Sequence, residues 1–167
     1  GAAPCVDEEV LRLWGAVVGV VGHALVRGHK ERLNALLLLP SGAFAATAPS
    51  VRAATFRAWE RLAAAWASAL TAPGLDAGTV DRRISLLLTP LKELDWSATD
   101  AKAAATHEAA ADCACTLVRT LGAADLDRAS RQAADEEKET PIVKLACSLA
   151  GHHNREVRLR ALRALAQ

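Results

Sequence analysis

The sequence contains no tyrosine and no methionine, and only 4% of its 167 residues are aromatic. Alanine and leucine therefore supply most of the 51% of residues that are hydrophobic. Both residues favour helices, as do arginine and glutamate, whereas β-branched residues are sparse. The composition predicts an all-α protein, and the length is that of one domain of ordinary size.

An excess of charge is also missing, because 20 basic and 19 acidic residues leave a net charge of +1. A strongly basic chain would point to nucleic acid or an anionic membrane surface as its partner. Any basic surface on this protein must therefore be local.

No hydrophobic run approaches the roughly 20 residues that cross a bilayer. The longest runs cover residues 16–26 and 33–40, so we predict no membrane span. The first ten residues are acidic and lack the basic start of a signal peptide. Because the sequence does not begin with Met, we expect an internal fragment or a processed start.

The four cysteines have no spacing typical of a secreted disulfide framework, which favours a reducing intracellular compartment. Two sets of residues carry zinc-ligand atoms: His107, Cys113 and Cys115, and then Cys147, His152 and His153. Zinc needs four tetrahedral ligands. Cys113 and Cys115 are two positions apart on a predicted helix, about 200° around it, and so point to different faces. We predict buried structural cysteines, no metal and no cofactor, and a structural role for the turn histidines.

No catalytic motif in the sequence supports an enzyme. His107 and Glu108 lack the second histidine that a zinc-protease helix needs, and no glycine-rich loop could cradle a phosphate. Gly15, Gly19 and Gly22 lie inside an apolar helix, where they permit close helix packing. We predict a protein that is not an enzyme.

Apolar residues recur at helical spacing along the chain, and caps and breakers divide the pattern into seven helices. The predicted helices run from Asp7 to Gly28, from Lys30 to a stop at Pro40, from Pro49 to a break at 71–78, from Thr79 to a break at Pro90, from a Ser97 cap to Gly122, from Pro141 to Ala150, and from Asn154 to Ala166. We predict repeats over 1–122, a polar connecting segment over 123–140 and a further helix pair over 141–167. The first helix carries little charge, so we expect neighbours on more than one of its sides.

Two segments resemble each other and the second helix of a HEAT repeat: "PSVRAATFRAWERLA" (49–63) and "NREVRLRALRALA" (154–166). Their Val-Arg pairs are 106 residues apart, which fits two long or three shorter repeats of about 40 to 47 residues. We therefore predict a HEAT-type α-solenoid of seven to eight antiparallel helices, forming part of a longer array, with further helical repeats beyond residue 167. Its core includes Trp14, Phe56, Trp59, Leu62, Trp66 and Val157.

Residues 13–94 resemble the N-terminal helical repeats of the telomere-associated, replication-timing factors of the Rif family. The matching elements are a Leu-Trp helix, a Leu-Leu helix, a Phe-x-Ala-Trp-x-x-Leu helix and a basic Leu-Leu-x-x-Pro-Leu segment. They are carried here by Leu13 and Trp14, by 33–44, by Phe56, Ala58, Trp59 and Leu62, and by Arg82, Arg83, Leu86, Leu87, Pro90 and Leu91.

This resemblance implies a non-enzymatic nuclear scaffold that binds DNA and acts in telomere maintenance, replication timing and break repair. The phosphatase-docking motif of such factors is not found in this chain. The alternative is a generic HEAT or armadillo-like array, cytoplasmic or ciliary, that binds protein partners through its groove. Either reading makes other proteins partners of the solenoid surface.

DNA binding would need several cations on one surface, since each neutralised phosphate releases counterions. Three local clusters are candidates: Arg27, Lys30 and Arg32 with His29; Arg82 and Arg83; and Arg155, Arg158, Arg160 and Arg163. No pattern for reading bases accompanies them. The same residues could instead be solvated or interhelical arginines.

Overall fold

A computed structural model describes residues 6–27, 30–132 and 140–166, with the backbone alone at Lys30, Ala101 and 125–132. The described residues form seven helices and no strand: α1 (Glu8–Leu25), α2 (Lys30–Ala43), α3 (Pro49–Thr71), α4 (Ala77–Glu93), α5 (Ala101–Gln132), α6 (Pro141–Ala150) and α7 (Arg155–Leu165). The all-α prediction is confirmed. Within these ranges, every helix is too short or too polar to cross a membrane.

The helices form two layers. The odd-numbered helices lie side by side, with α3 packed between α1 and α5, and α7 packed on the other side of α5. The even-numbered helices form the second layer, in which α2 and α4 contact α3, and α6 contacts α5 and α7. Successive helix pairs stacked in this way are an α-solenoid, which confirms the predicted fold class.

The turns of this solenoid gather at two edges. The Arg27 guanidinium donates to the Pro73 carbonyl at 3.2 Å, so the α1–α2 and α3–α4 turns are neighbours at what we call the first edge. His152 lies 2.8 Å from the Trp96 carbonyl, which joins the α6–α7 and α4–α5 turns at the second edge. Thr106 donates to the Pro49 carbonyl at 3.4 Å and brings the start of α3 to that second edge.

Pro40 and Pro90 lie inside α2 and α4 instead of ending them, so the helix stops predicted at these prolines are wrong. Proline has no N–H, and its ring disturbs the carbonyl of the preceding turn. The Trp14 indole donates to the Leu36 carbonyl at 2.9 Å, four residues before Pro40. The Trp59 indole donates to the Leu87 carbonyl at 3.1 Å, three residues before Pro90. Trp14 on α1 and Trp59 on α3 thus each provide a hydrogen bond where the proline on the following helix disturbs the ladder.

The ends of α5 also differ from the prediction. Asp100 caps the helix by accepting from the Ala103 N–H at 2.6 Å, whereas Ser97 belongs to the turn before it and bonds to Asp95. The helix does not stop at Gly122 but continues to Gln132. A glycine inside a helix costs only about 1 kcal/mol relative to alanine, and alanines follow it here. The predicted connecting segment therefore begins as helix, and residues 133–139 of it lie outside the described residues.

The core of α1–α4 is built around aromatic rings from α1, α3 and the end of α2. Trp14 and Trp59 stack with ring centroids 6.3 Å apart, and the Phe44 ring meets the Phe56 and Trp59 rings edge-on at 5.0 and 5.3 Å. The six residues proposed as core from the sequence are all buried: Trp14, Phe56, Trp59, Leu62, Trp66 and Val157.

Helix α1 packs closely on α3 and leaves one apolar side uncovered by described residues. Gly15 and Gly22 face Ala58 and Ala65 of α3, where an added Cβ would lie 3.2 Å from Ala58 Cα and 2.8 Å from Ala65 Cβ. The other side exposes four large apolar residues: Leu13, Val17, Val20 and Val21. Within the described chain, α3 and α2 are the neighbours of α1, since Trp14 also donates to the Leu36 carbonyl of α2, and this apolar side is left open.

Candidate functional site

Two of the predicted basic clusters meet at the first edge. Arg27 and Arg32 are exposed at the α1–α2 turn, and Arg82 is exposed on the first turns of α4. The Arg27 guanidinium reaches the α3–α4 turn, where Gly74 has a φ of 97°, a conformation that side chains disfavour. The edge therefore joins cations that are 50 to 55 positions apart in the sequence. The side chain of Lys30 and all of His29 lie outside the described residues.

Arg82 and Arg83 have different surroundings although they are adjacent. Arg82 donates to the Thr79 hydroxyl at 2.8 Å, and that hydroxyl donates to Asp76 at 2.6 Å. Hydrogen bonds from Thr79, with the charge of Arg82 acting in the same direction, hold the pKa of Asp76 below its usual value. Arg83 is half-buried with its guanidinium carbon 5.6 Å from the centre of the Trp66 ring, and burial lowers its pKa. Arg83 thus packs against the core, and Arg82 faces solvent.

The four arginines of α7 divide in the same way. Arg158 donates to the carbonyls of His152 and His153, both at 2.7 Å, and so holds the α6–α7 turn. Arg160 donates to the Glu108 carbonyl at 3.1 Å and lies 3.4 Å from the Glu108 and Asp112 carboxylates of α5. Arg155 and Arg163 are exposed. Arg160 is therefore interhelical, which is the alternative that the sequence left open, and Arg158 is bound to the turn before its own helix.

The sequence did not identify a further basic surface as a candidate site. We call it the outer face: the side of the odd-helix layer that points away from α2, α4 and α6. Arg57 and Arg61 of α3 and Arg119 of α5 are exposed on it. The available signal was the spacing of Arg57 and Arg61, which are one turn apart on a helix whose other sides are apolar.

Two cavities open on the outer face. The one between α1 and α3, which we call the α1–α3 groove, has a volume of about 380 Å³. The second, of about 280 Å³, lies among α3, α5 and α7 and is lined by Glu60, Asp112, Arg119, Arg160 and Arg163. Thr116 donates to Glu60 at 2.7 Å and accepts from Arg119 at 3.2 Å. The polar groups around this second cavity are therefore largely paired with one another.

The histidines of the second edge form a structural cluster. Asn154 N–H donates to His152 Nδ1 at 3.0 Å, so the His152 proton lies on Nε2, which donates to the Trp96 carbonyl. His107 donates to the Asp95 carbonyl at 2.9 Å, and the Trp96 ring lies 5.5 Å from both imidazoles. Burial lowers the pKa of His152, and the charges of His153, His107 and Arg158 act in the same direction.

The cysteines do not join this cluster. Cys113 and Cys115 are buried in α5, where burial raises the pKa of both thiols, and Cys147 is exposed. All three are free thiols. Across 6–27, 30–132 and 140–166, no three His, Cys, Asp or Glu side chains converge as metal ligands would.

Stacked helix pairs with charged edges and an aromatic core define a helical-repeat protein of the solenoid class. The chain belongs to the family described as Rap1-interacting factor 1 N terminal, whose family model matches residues 6–124. The match extends the Rif resemblance of residues 13–94 in both directions and confirms it. No curated protein and no solved structure matches the chain.

Proposed function

We propose that this chain is part of a non-enzymatic nuclear scaffold of Rif type that contacts DNA through the first edge. The observation that carries the proposal is the exposure of Arg27, Arg32 and Arg82 along one edge of the helical array. Membership of the Rif family supports the wider role in telomere maintenance, replication timing and break repair.

The first edge suits the phosphate backbone better than base edges. Its cations come from two helix pairs whose turns the bond between Arg27 and Pro73 brings side by side, so a polyanion can meet several of them at once. Each phosphate that an arginine neutralises adds affinity that weakens as salt rises. Glu31 and Asp76 lie on the same edge and limit the number of phosphates that can be engaged.

The test is binding of the whole chain to labelled duplex and branched DNA over a range of salt concentrations. We expect binding that weakens with salt, and a slope of log affinity against log salt that falls by about 0.9 for each phosphate contact removed. Arg32→Glu with Arg82→Glu leaves the structural bond of Arg27 intact and should abolish most binding. The matched control is Arg155→Glu with Arg163→Glu, which reverses the same number of charges at exposed positions of α7. Absence of binding at low salt, or equal loss in both variants, contradicts the proposal.

A second candidate function is protein binding through a groove of the solenoid. The α1–α3 groove favours it, because this groove combines opposite charges with an apolar floor.

A further inference from the structure

The α1–α3 groove exists because small residues bring two helices together. Gly15 of α1 lies against Ala58 of α3, where an added Cβ would be 3.2 Å from Ala58 Cα. Leu11 and Ala54 complete an apolar floor, above which long side chains stand as two walls. The α1–α3 groove, about 380 Å³ in volume, has room between these walls for a few side chains of a ligand.

The two walls differ in charge. The α1 wall contains Glu8, Glu9 and Arg12, and because Arg12 pairs with Glu9 at 2.8 Å, Glu8 is the carboxylate of this wall left for a ligand. The α3 wall consists of Arg57 and Arg61, which form no hydrogen bond or ion pair with any described residue. Like charges one helical turn apart repel each other. An anionic group placed between these two guanidinium groups would relieve that repulsion and accept hydrogen bonds from both.

The shape and charge of the groove select among possible ligands. A nucleic acid strand would bring a phosphate to Arg57 and Arg61, but its neighbouring phosphates would face Glu8, which Arg12 does not neutralise, on the opposite wall. A free phosphate would leave the apolar floor unused. An extended peptide can use all three features, because its side chains alternate in direction and can differ in charge.

We propose that the α1–α3 groove binds an extended segment of a partner protein, with an Asp or Glu side chain held between Arg57 and Arg61. A small aliphatic side chain of the segment lies on the floor beside Gly15 and Ala54, and a Lys or Arg side chain meets Glu8. This site is on the outer face and is separate from the first edge. Its failure would therefore leave the proposal of DNA binding at Arg32 and Arg82 untouched.

The experiment selects displayed random twelve-residue peptides on the whole chain and measures the affinity of the enriched peptides by fluorescence anisotropy. We expect an enriched pattern of one acidic residue, one small aliphatic residue and one basic residue. Arg57→Glu with Arg61→Glu should lower the affinity at least tenfold, and Ala54→Leu, which fills the floor, should have a similar effect. Arg155→Glu with Arg163→Glu is the matched control and should leave the affinity unchanged.

A charge exchange separates recognition from loss of folding. The Arg57→Glu, Arg61→Glu variant should regain affinity for an enriched peptide whose acidic residue is changed to lysine, and its melting temperature should match that of the unchanged chain. Three results would overturn the proposal: enrichment of no peptide, enrichment of peptides without an acidic residue, or binding insensitive to the Arg57, Arg61 and Ala54 variants. Binding of labelled duplex DNA that is lost in the Arg57→Glu, Arg61→Glu variant would also overturn the proposal, because it would assign the groove to nucleic acid.

Discussion

The two helix pairs of α1–α4 and the three helices of α5–α7 reach the same layered arrangement by different chemistry. In α1–α4, tryptophan rings fill the space between the layers, and their indoles donate to helix carbonyls near Pro40 and Pro90. In α5–α7, which contain no tryptophan or phenylalanine, polar links accompany the buried aliphatic residues: His152 and Arg158 hold the turns, and Arg160 joins α7 to α5.

This difference has a consequence for how each region responds to its surroundings. Indole donors and apolar rings do not titrate near neutral pH, and buried contacts are little screened by salt. Imidazoles titrate in the physiological range, and half-exposed ion pairs weaken as salt rises. The first region should therefore be stable across conditions, and the second should respond to pH and ionic strength.

Removing Trp59 should have the largest effect, because its ring is buried in the centre of α1–α4. Trp59→Ala is expected to lower the free energy of unfolding by about 3–5 kcal/mol, the usual cost for a large buried aromatic side chain. Trp59→Phe, which removes the donor to the Leu87 carbonyl but keeps a ring, should cost about 1–2 kcal/mol. Urea unfolding at neutral pH measures both.

The comparison variant is Trp96→Ala in the polar junction of the second edge, where the ring is only half-buried. A loss equal to that of Trp59→Ala would show that the two regions depend on aromatic packing to the same degree.

Because α1 packs closely on α3, substitution by alanine should have opposite effects on stability at two glycines of α1. A Cβ at Gly22 would lie 2.8 Å from Ala65 Cβ, so Gly22→Ala should separate the helices and cost about 1–3 kcal/mol. Gly19 has open space around it, so Gly19→Ala should stabilise by up to about 1 kcal/mol through helix propensity. Thermal melts of the two variants check the prediction. Equal shifts in the same direction would mean that α1 does not use its glycine face as the close contact.

Sequence periodicity was enough to locate the helices and the buried tryptophans, because both depend on spacing within one segment. It was wrong at Pro40 and Pro90, where the hydrogen bonds that support the helix come from Trp14 and Trp59 on other helices. Those donors are 22 and 28 positions away from their acceptors. A local pattern contains no information about such pairs.

The same limit applied to the basic residues. Arg160 and Arg163 look alike in the sequence, yet Arg160 bonds to α5 residues some 50 positions earlier and Arg163 remains exposed. Family resemblance located the helices but did not separate structural arginines from free ones. Only the packing of α7 on α5 makes that distinction.

Acid should weaken the second edge specifically. His152 is 8% exposed, and its pKa in the fold lies below the ordinary value of 6.5. The unfolded chain therefore takes up this proton at a higher pH than the folded chain does, and stability falls as pH drops below 6.5 until the folded pKa is passed. Above 6.5 the contribution is fully present. Protonation would also remove the acceptor for the Asn154 N–H.

Melting temperatures from pH 5 to pH 8 test this expectation. His152→Gln should remove part of the loss on the acid side and lower stability at neutral pH, whereas His23→Gln, at an exposed position of α1 outside the histidine cluster, should change the pH profile less. The prediction is wrong if His152→Gln and the unchanged chain lose stability in parallel as the pH falls.

The smallest effect is expected for the link between α7 and α5. Arg160 is 28% exposed, and its partners Glu108 and Asp112 are 42% and 49% exposed, so solvent screens both ion pairs. Arg160→Gln should cost about 1 kcal/mol, since it also loses the bond to the Glu108 carbonyl. A double-mutant cycle with Asp112→Asn should give a coupling of about 0.2–1 kcal/mol that shrinks as salt is added. Arg163→Gln, at an exposed neighbour without these partners, should stay within about 0.5 kcal/mol of the unchanged chain. A coupling of zero would mean that α7 is held by packing of Val157 and Ala161 alone, and the contrast between an apolar and a polar region would then be confined to the second edge.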